Sequence, residues 1–149
     1  MTRDALLLGR ISLPGQAYLV TTVTHDRQSW FADFTLARLA IREMRDMEQE
    51  GWLESMAWVL MPDHLHWLFQ LGEKASLSDT VKAFKGRSAQ RINHGMNRSG
   101  PIWQKAFHDH AMRGEEDLPG IARYVVANPL RAGLVAKIGD YPHWDAIWL

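Results

Sequence analysis

Residues 52–71 read WLESMAWVLMPDHLHWLFQL. Two apolar runs, 52–60 and 64–71, flank Met61-Pro62-Asp63. Proline fixes its own φ and aspartate bonds back to nearby backbone, so the triplet predicts a turn between two antiparallel strands. In the second strand His64 and His66 stand two apart. Side chains at that spacing share a face, and Leu65 between them points to the opposite one.

Working outward, residues 17–25 (AYLVTTVTH) are apolar and β-branched and predict a strand. Asp33 reads as the N-cap of a helix running to about Glu50, with Leu36, Leu39, Ala40, Met44 and Met47 on one side and Gly51 as its stop. After the strand pair, Ser76 or Ser78 caps a second helix to about Asn93, whose stripe is Leu77, Val81, Phe84 and Ile92. A loop over 94–101 leads to a mixed segment, 102–113, read as a strand. A third helix covers about 116–127, with Leu118, Ile121, Ala122 and Val125 inward, and Asn128-Pro129 stops it. The tail is irregular, with Trp144, Ile147 and Trp148 docking it on the body.

The first six elements follow the order βαββαβ. That is an α+β, ferredoxin-like sandwich: an antiparallel sheet with helices on one face, here followed by a C-terminal helix carrying Tyr124 and a docked tail. Without repeats, linkers or low-complexity tracts, residues 1–149 are expected to form a single domain.

Composition narrows the chemistry. Cysteine is absent, which excludes disulfides and thiolate metal sites and leaves His, Asp, Glu, amide or water ligands for any cation. There is no signal-peptide pattern and no run of about 20 apolar residues, so a cytoplasmic location away from any membrane is expected. Net charge is zero, from 17 Lys+Arg and 17 Asp+Glu. The distribution is uneven: residues 81–137 hold ten Lys and Arg against four Asp and Glu, a surplus of six that the rest of the chain cancels. Segregation of this kind focuses a local field, or else leaves two ordinarily solvated faces.

Three constellations carry possible chemistry. His64 and His66, projected side by side from an interior strand, form half of a divalent-cation site, or are two histidines making ordinary hydrogen bonds. His108-Asp109-His110 repeats the spacing with a charged residue between and a less certain strand around it; His110 is an accessory candidate at a shared site. Tyr124 sits at the edge of the third helix's buried stripe, with Asn128 four residues on along the same side. An amide carbonyl is a sound ligand for Mg²⁺ or Mn²⁺. The alternatives are a packing tyrosine with a solvated hydroxyl and an asparagine that merely ends a helix.

Four segments in order, MPDHLHWLF (61–69), FKGRSAQRIN (84–93), IWQKAFHDHAMR (102–113) and YVVANPLRAGLV (124–135), together with TTVTHDRQSWF (21–31), give the chain a resemblance to a known family. It resembles the REP-associated tyrosine transposases, within the single-tyrosine HUH transposases of bacterial insertion sequences. The resemblance implies that His64 and His66 are metal ligands, that Asn128 completes the site, and that Tyr124 is the nucleophile. It implies an Mg²⁺- or Mn²⁺-dependent nicking and joining of single-stranded DNA through a 5′-phosphotyrosine link, on hairpin-forming, REP-type palindromic DNA. His108 stands where the family more often carries an aromatic residue. A monomer is favoured over a homodimer, and a bacterial protein of this kind would associate with the nucleoid when bound to DNA.

Under that implication the basic half binds substrate. Lys82, Lys85, Arg87 and Arg91 on the second helix, extended by Lys105, Arg113, Arg123 and Arg131, are the candidate phosphate contacts. Trp103 is the candidate ring for stacking an unpaired base, whereas Trp67 and Phe107 read better as core. Two other readings compete: a hairpin-binding domain that does not cut, and a metal-dependent phosphodiesterase in which Tyr124 is structural.

Overall fold

The computed structural model describes residues 13–113 and 116–148. Its sheet is built from β1 (Ala17–Val23), β2 (Leu53–Met61), β3 (His64–Leu71), β4 (His108–Ala111) and β5 (Trp144–Ala146). The order across the sheet is β4-β1-β3-β2-β5, and every neighbouring pair is antiparallel. The first four strands, with helices α1 (Phe34–Gln49) and α2 (Leu77–Met96) between them, make the expected βαββαβ sandwich. α3 (Leu118–Val126), which carries Tyr124, and the short α4 (Asn128–Arg131) follow.

Local chemistry explains the helix starts. Asp33, Ser76 and Asp117 each accept a bond from a backbone N–H three residues on: Leu36 at 3.0 Å, Asp79 at 3.1 Å and Gly120 at 3.1 Å. α1 ends at Gly51, whose φ of 89° suits glycine alone. α2 runs three residues past the expected Asn93, to Met96, and Asn97 closes it in the left-handed region at φ 51°. Asparagine tolerates that region better than most residues.

The two faces of the sheet carry separate cores. On one, Leu65, Trp67, Phe69 and Leu71 of β3 pack with Tyr18 and Val20 of β1 against α1 and α2, through Ala40, Ile41, Met44, Met47, Val81, Phe84 and Ile92. On the other, Leu68 and Ala57 pack against Ala122 and Val126 of α3 and Ala146 of β5. Period-two alternation along β3 therefore decides which side each residue serves.

Three elements depart from the sequence reading. The strand expected over 102–113 is only β4; Ile102 and Trp103 turn into the main core, and Trp103 keeps a single bridge to Thr24. Asn128-Pro129 does not end the helical run: Ala127 keeps helical dihedrals and a further turn follows, with Pro129 where its missing N–H costs nothing. The tail docks through a real strand, β5, paired to β2, and through Trp144, whereas Ile147 and Trp148, expected to dock it, stay exposed. Leu149 lies outside the described residues.

Candidate active site

His64 and His66 have the parity of Leu68, so both open on the face that α3 covers. Their ring centres are 4.8 Å apart and the planes stand at 83°. Each ring is held at Nδ1. Asp63 Oδ1 lies 2.7 Å from His64 Nδ1, and Thr21 Oγ1 lies 2.9 Å from His66 Nδ1. Thr21 is the direct cross-strand neighbour of His66, which explains the contact. Both Nε2 atoms remain without a partner among the described residues.

The electrostatics suit this arrangement. Burial, then the neighbouring His64, then Arg131 push His66 down to about 4, so it is neutral at neutral pH. Burial alone would raise Asp63, but the bonds from His64 and Arg27 outweigh it and hold the carboxyl below its usual range. Arg27 Nη1 is 3.3 Å from Asp63 Oδ2.

Tyr124 is exposed, at 65%. The guanidinium of Arg131 stacks over its ring, 3.7 Å from the centre. Tyr124, Asn128 and Arg131 are four and three residues apart on a nearly continuous helical run, so they line one side of it. Asn128 is half-buried at the start of α4. Arg131, touching the tyrosine and acting on His66, ties the late helix to the histidine strand.

The competing pair falls on the same face but further out. His108 stands opposite Thr21, and His110 opposite Leu19, both on the edge strand β4 and both exposed. His110 Nε2 lies 3.1 Å from Glu116 Oε1, a surface pairing. Among the described residues no group of three His, Asp, Glu or Cys gathers to hold a cation. The fit of a metal therefore rests on the two imidazoles. Two rings clamped at Nδ1 by oxygen partners, one of them kept neutral by burial, with Nε2 atoms unengaged, are a suitable donor pair.

The candidate DNA contacts divide into exposed side chains, among them Arg123 near Asp117 and Arg131 on the Tyr124 ring, and side chains taken up by the fold. Lys82, Lys105, Arg113, Arg123 and Arg131 are exposed. Lys85 instead donates to the carbonyls of Gln104 (2.8 Å) and Ala106 (2.7 Å), pinning the loop before β4. Arg87 lies against the buried carboxylate of Glu43, off the hydrogen-bond direction at Oε1, and reaches Glu50 Oε2 at 2.6 Å. Arg91 holds Glu43 Oε2 at 2.6 Å and Asp46 at 2.5 Å. These two arginines clamp α2 to α1. Trp103 is a core ring, 6% exposed, wedged between Phe31 and Phe84 with its Nε1 donating to Ser88. It has no open face on which a base could stack. Sequence reading missed Asp63 and Thr21 as the supports of the histidines; the acidic residue directly before His64 was the available signal.

Helix α3, which carries Tyr124, thus packs over the sheet face on which His64 and His66 open. The family described as Transposase IS200 like matches residues 13–128, and the chain belongs to that family; it is a transposase. A REP-associated tyrosine transposase of Escherichia coli K12 is 25% identical over 135 residues, covering 89% of this chain and 78% of that one. A Haemophilus influenzae protein provisionally named the same way is 28% identical over 144 residues, covering 87% and 78%. The solved structure of a REP-associated tyrosine transposase bound to a REP hairpin shares the fold, with a TM-score of 0.74 at 24% identity over 91% of this chain and 79% of that one. No helix among the described residues is long and apolar enough to cross a membrane.

Proposed function

We propose that this transposase nicks and rejoins single-stranded DNA beside a hairpin of REP type, with Tyr124 as nucleophile and an Mg²⁺ or Mn²⁺ ion held by His64, His66 and Asn128. The observation that carries the reading is the packing of α3 on the histidine face, with Arg131 set against Tyr124 and felt at His66. The hairpin comes from the relative bound to one; the charge surplus on residues 81–137 supplies a surface for it.

The chemistry divides among the residues as follows. When bound, the cation would supply charge stabilisation at the scissile phosphate. Asp63 and Thr21 fix the two imidazole orientations from behind. Tyr124 Oη attacks phosphorus, the bond to the 3′ oxygen breaks, the phenol proton leaves and the 3′ oxygen takes one up. The products are a 5′-phosphotyrosine link and a 3′-hydroxyl, and attack by another 3′-hydroxyl on that link joins a new strand. A phenol is a weak nucleophile at neutral pH. Arg131 helps by holding the ring and placing positive charge beside it. Positioning and charge stabilisation supply most of the rate.

The test is incubation with a labelled hairpin oligonucleotide and Mn²⁺, followed by a denaturing gel. A covalent protein–DNA band that Tyr124→Phe abolishes, with binding retained, is the expected result. Tight binding without any band, or cleavage that leaves no protein on the DNA, favours the binding-domain or phosphodiesterase reading instead.

A further inference from the structure

α1 carries charge of both signs. Its carboxylates Glu43 and Asp46, with Glu50 just past its end, turn toward α2, where Arg87 and Arg91 pair with them, while Glu48 accepts from the backbone N–H of Ser55 on β2. Its own arginines, Arg38, Arg42 and Arg45, recur at helical spacing along its solvent side. None of the three forms an ion pair among the described residues. Arg42 and Arg45 are exposed and Arg38 is half-buried. Burial and then the charge of Arg45 hold Arg38 below its ordinary value.

The stripe borders an open cleft of about 500 Å³ along α1. Asp46 also borders that cleft, but its carboxylate is held from the other side by Arg91. At the head of the stripe stands Phe34, a large aromatic side chain 61% exposed. Phe34 also lines a second cleft, of about 330 Å³, with Pro62, Tyr141 and His143. Pro62 belongs to the turn that carries Asp63 and His64. The Phe34 ring lies 5.4 Å from that of His143, a side chain 4% exposed whose Nδ1 has no partner among the described residues. A path therefore leads from the histidine turn, past an exposed aromatic ring, onto three unpaired guanidiniums.

We propose that Phe34, Arg38, Arg42 and Arg45 form a track for the single-stranded DNA that flanks the hairpin, distinct from the basic surface of residues 81–137. The track rests on the reading of the protein as a nicker of single-stranded DNA. Charge complementarity selects its occupant. Three arginines over about 10 Å of helix suit successive phosphates on one strand, and a ring at their head suits a stacked base. A protein partner offering carboxylates would satisfy the charges but would not call for a ring beside the turn that presents His64.

The experiment measures affinity by fluorescence anisotropy for two oligonucleotides, one hairpin with a single-stranded tail on each side and the same hairpin without tails. All proteins carry Tyr124→Phe so that no cleavage intervenes. The triple variant Arg38→Gln, Arg42→Gln, Arg45→Gln is expected to bind the tailed hairpin at least about tenfold more weakly at low salt, with the salt slope reduced by about 2. Binding of the tailless hairpin stays at the starting level. Phe34→Ala and the single reversal Arg42→Glu should each weaken the tailed complex selectively while thermal unfolding is unchanged, which separates loss of contact from loss of fold. Unchanged affinity for the tails overturns the proposal, and so does an equal loss for both oligonucleotides, which would place the stripe on the hairpin stem. Because the readout is binding, a wild-type protein that forms no covalent adduct sinks the nicking reading alone, whereas tail affinity that ignores the arginines sinks this one alone.

Discussion

The guanidinium carbon of Arg131 lies 3.7 Å from the centre of the Tyr124 ring, seven residues and about two helical turns away. The same charge is one of the influences that keep His66 neutral. One side chain thus touches the candidate nucleophile and acts on a candidate ligand contributed by a strand some sixty residues earlier in the sequence.

This contact has a kinetic consequence. Arg131→Met removes the charge but keeps an apolar stem over the ring. At saturating hairpin DNA it is expected to slow adduct formation by about tenfold, the rate equivalent of about 1.4 kcal/mol, a typical value for a partly desolvated cation–π pair. Single-turnover gels read this directly. A rate equal to wild type would assign Arg131 to DNA binding alone.

The supports behind the histidines predict a change in metal affinity. Asp63→Asn weakens the acceptor at His64 Nδ1 without touching the ring. The Mn²⁺ concentration for half-maximal adduct formation is expected to rise about 10- to 100-fold, with the rate recovered at saturating Mn²⁺. Thr21→Val should act in the same direction through His66.

Glu43 is 1% exposed and faces two arginines. Glu43→Gln is expected to cost roughly 3 kcal/mol of stability, the lower end for removing one partner of a buried pair, because each arginine keeps a second carboxylate. Denaturant unfolding measures it. Arg87→Gln and Arg91→Gln should lower stability more than they lower hairpin affinity.

Burial, then Arg38, hold His143 below its ordinary value. The unfolded chain takes up that proton near pH 6.5, while the folded protein resists until lower pH. Stability from this group is therefore complete above about pH 6.5 and declines as the pH falls below it. Melting temperatures from pH 7.5 to 5 should drop less steeply for His143→Gln than for wild type. Glu50 works at the acid end. Its bond from Arg87 pulls it down to about 2, so its contribution is present above about pH 4.5 and fades toward pH 2.

The hairpin β2–β3 was legible because two signals agree there: alternation that sends Leu65 and Trp67 one way and His64 and His66 the other, and a Pro-Asp turn between. The order of elements then left little freedom in the topology. β5 was hidden because Trp-Asp-Ala, with Asp145 exposed, carries no strand pattern of its own; pairing with β2 makes it a strand. Trp103 was misread as a surface ring because aromatic residues near basic ones look alike whether they face water or the core. The charge count over 81–137 overlooked α1, whose acids and bases cancel in composition although Glu43 and Asp46 are taken up by the arginines of α2. Tyr124, Asn128 and Arg131 could be placed on one side from spacing alone, whereas the face of the sheet they cover depends on long-range packing of Ala122 and Val126 on Leu68.

The central claim is that one cation joins the histidine strand to the tyrosine helix. Crystals of the Tyr124→Phe protein soaked with Mn²⁺, with data collected at the manganese edge, test it most directly. The account predicts one anomalous peak within bonding distance of His64 Nε2, His66 Nε2 and the Asn128 side-chain oxygen, beside the aromatic ring at position 124. A peak at His108 and His110, or one on the histidines with Asn128 and that ring turned away from it, would contradict the account.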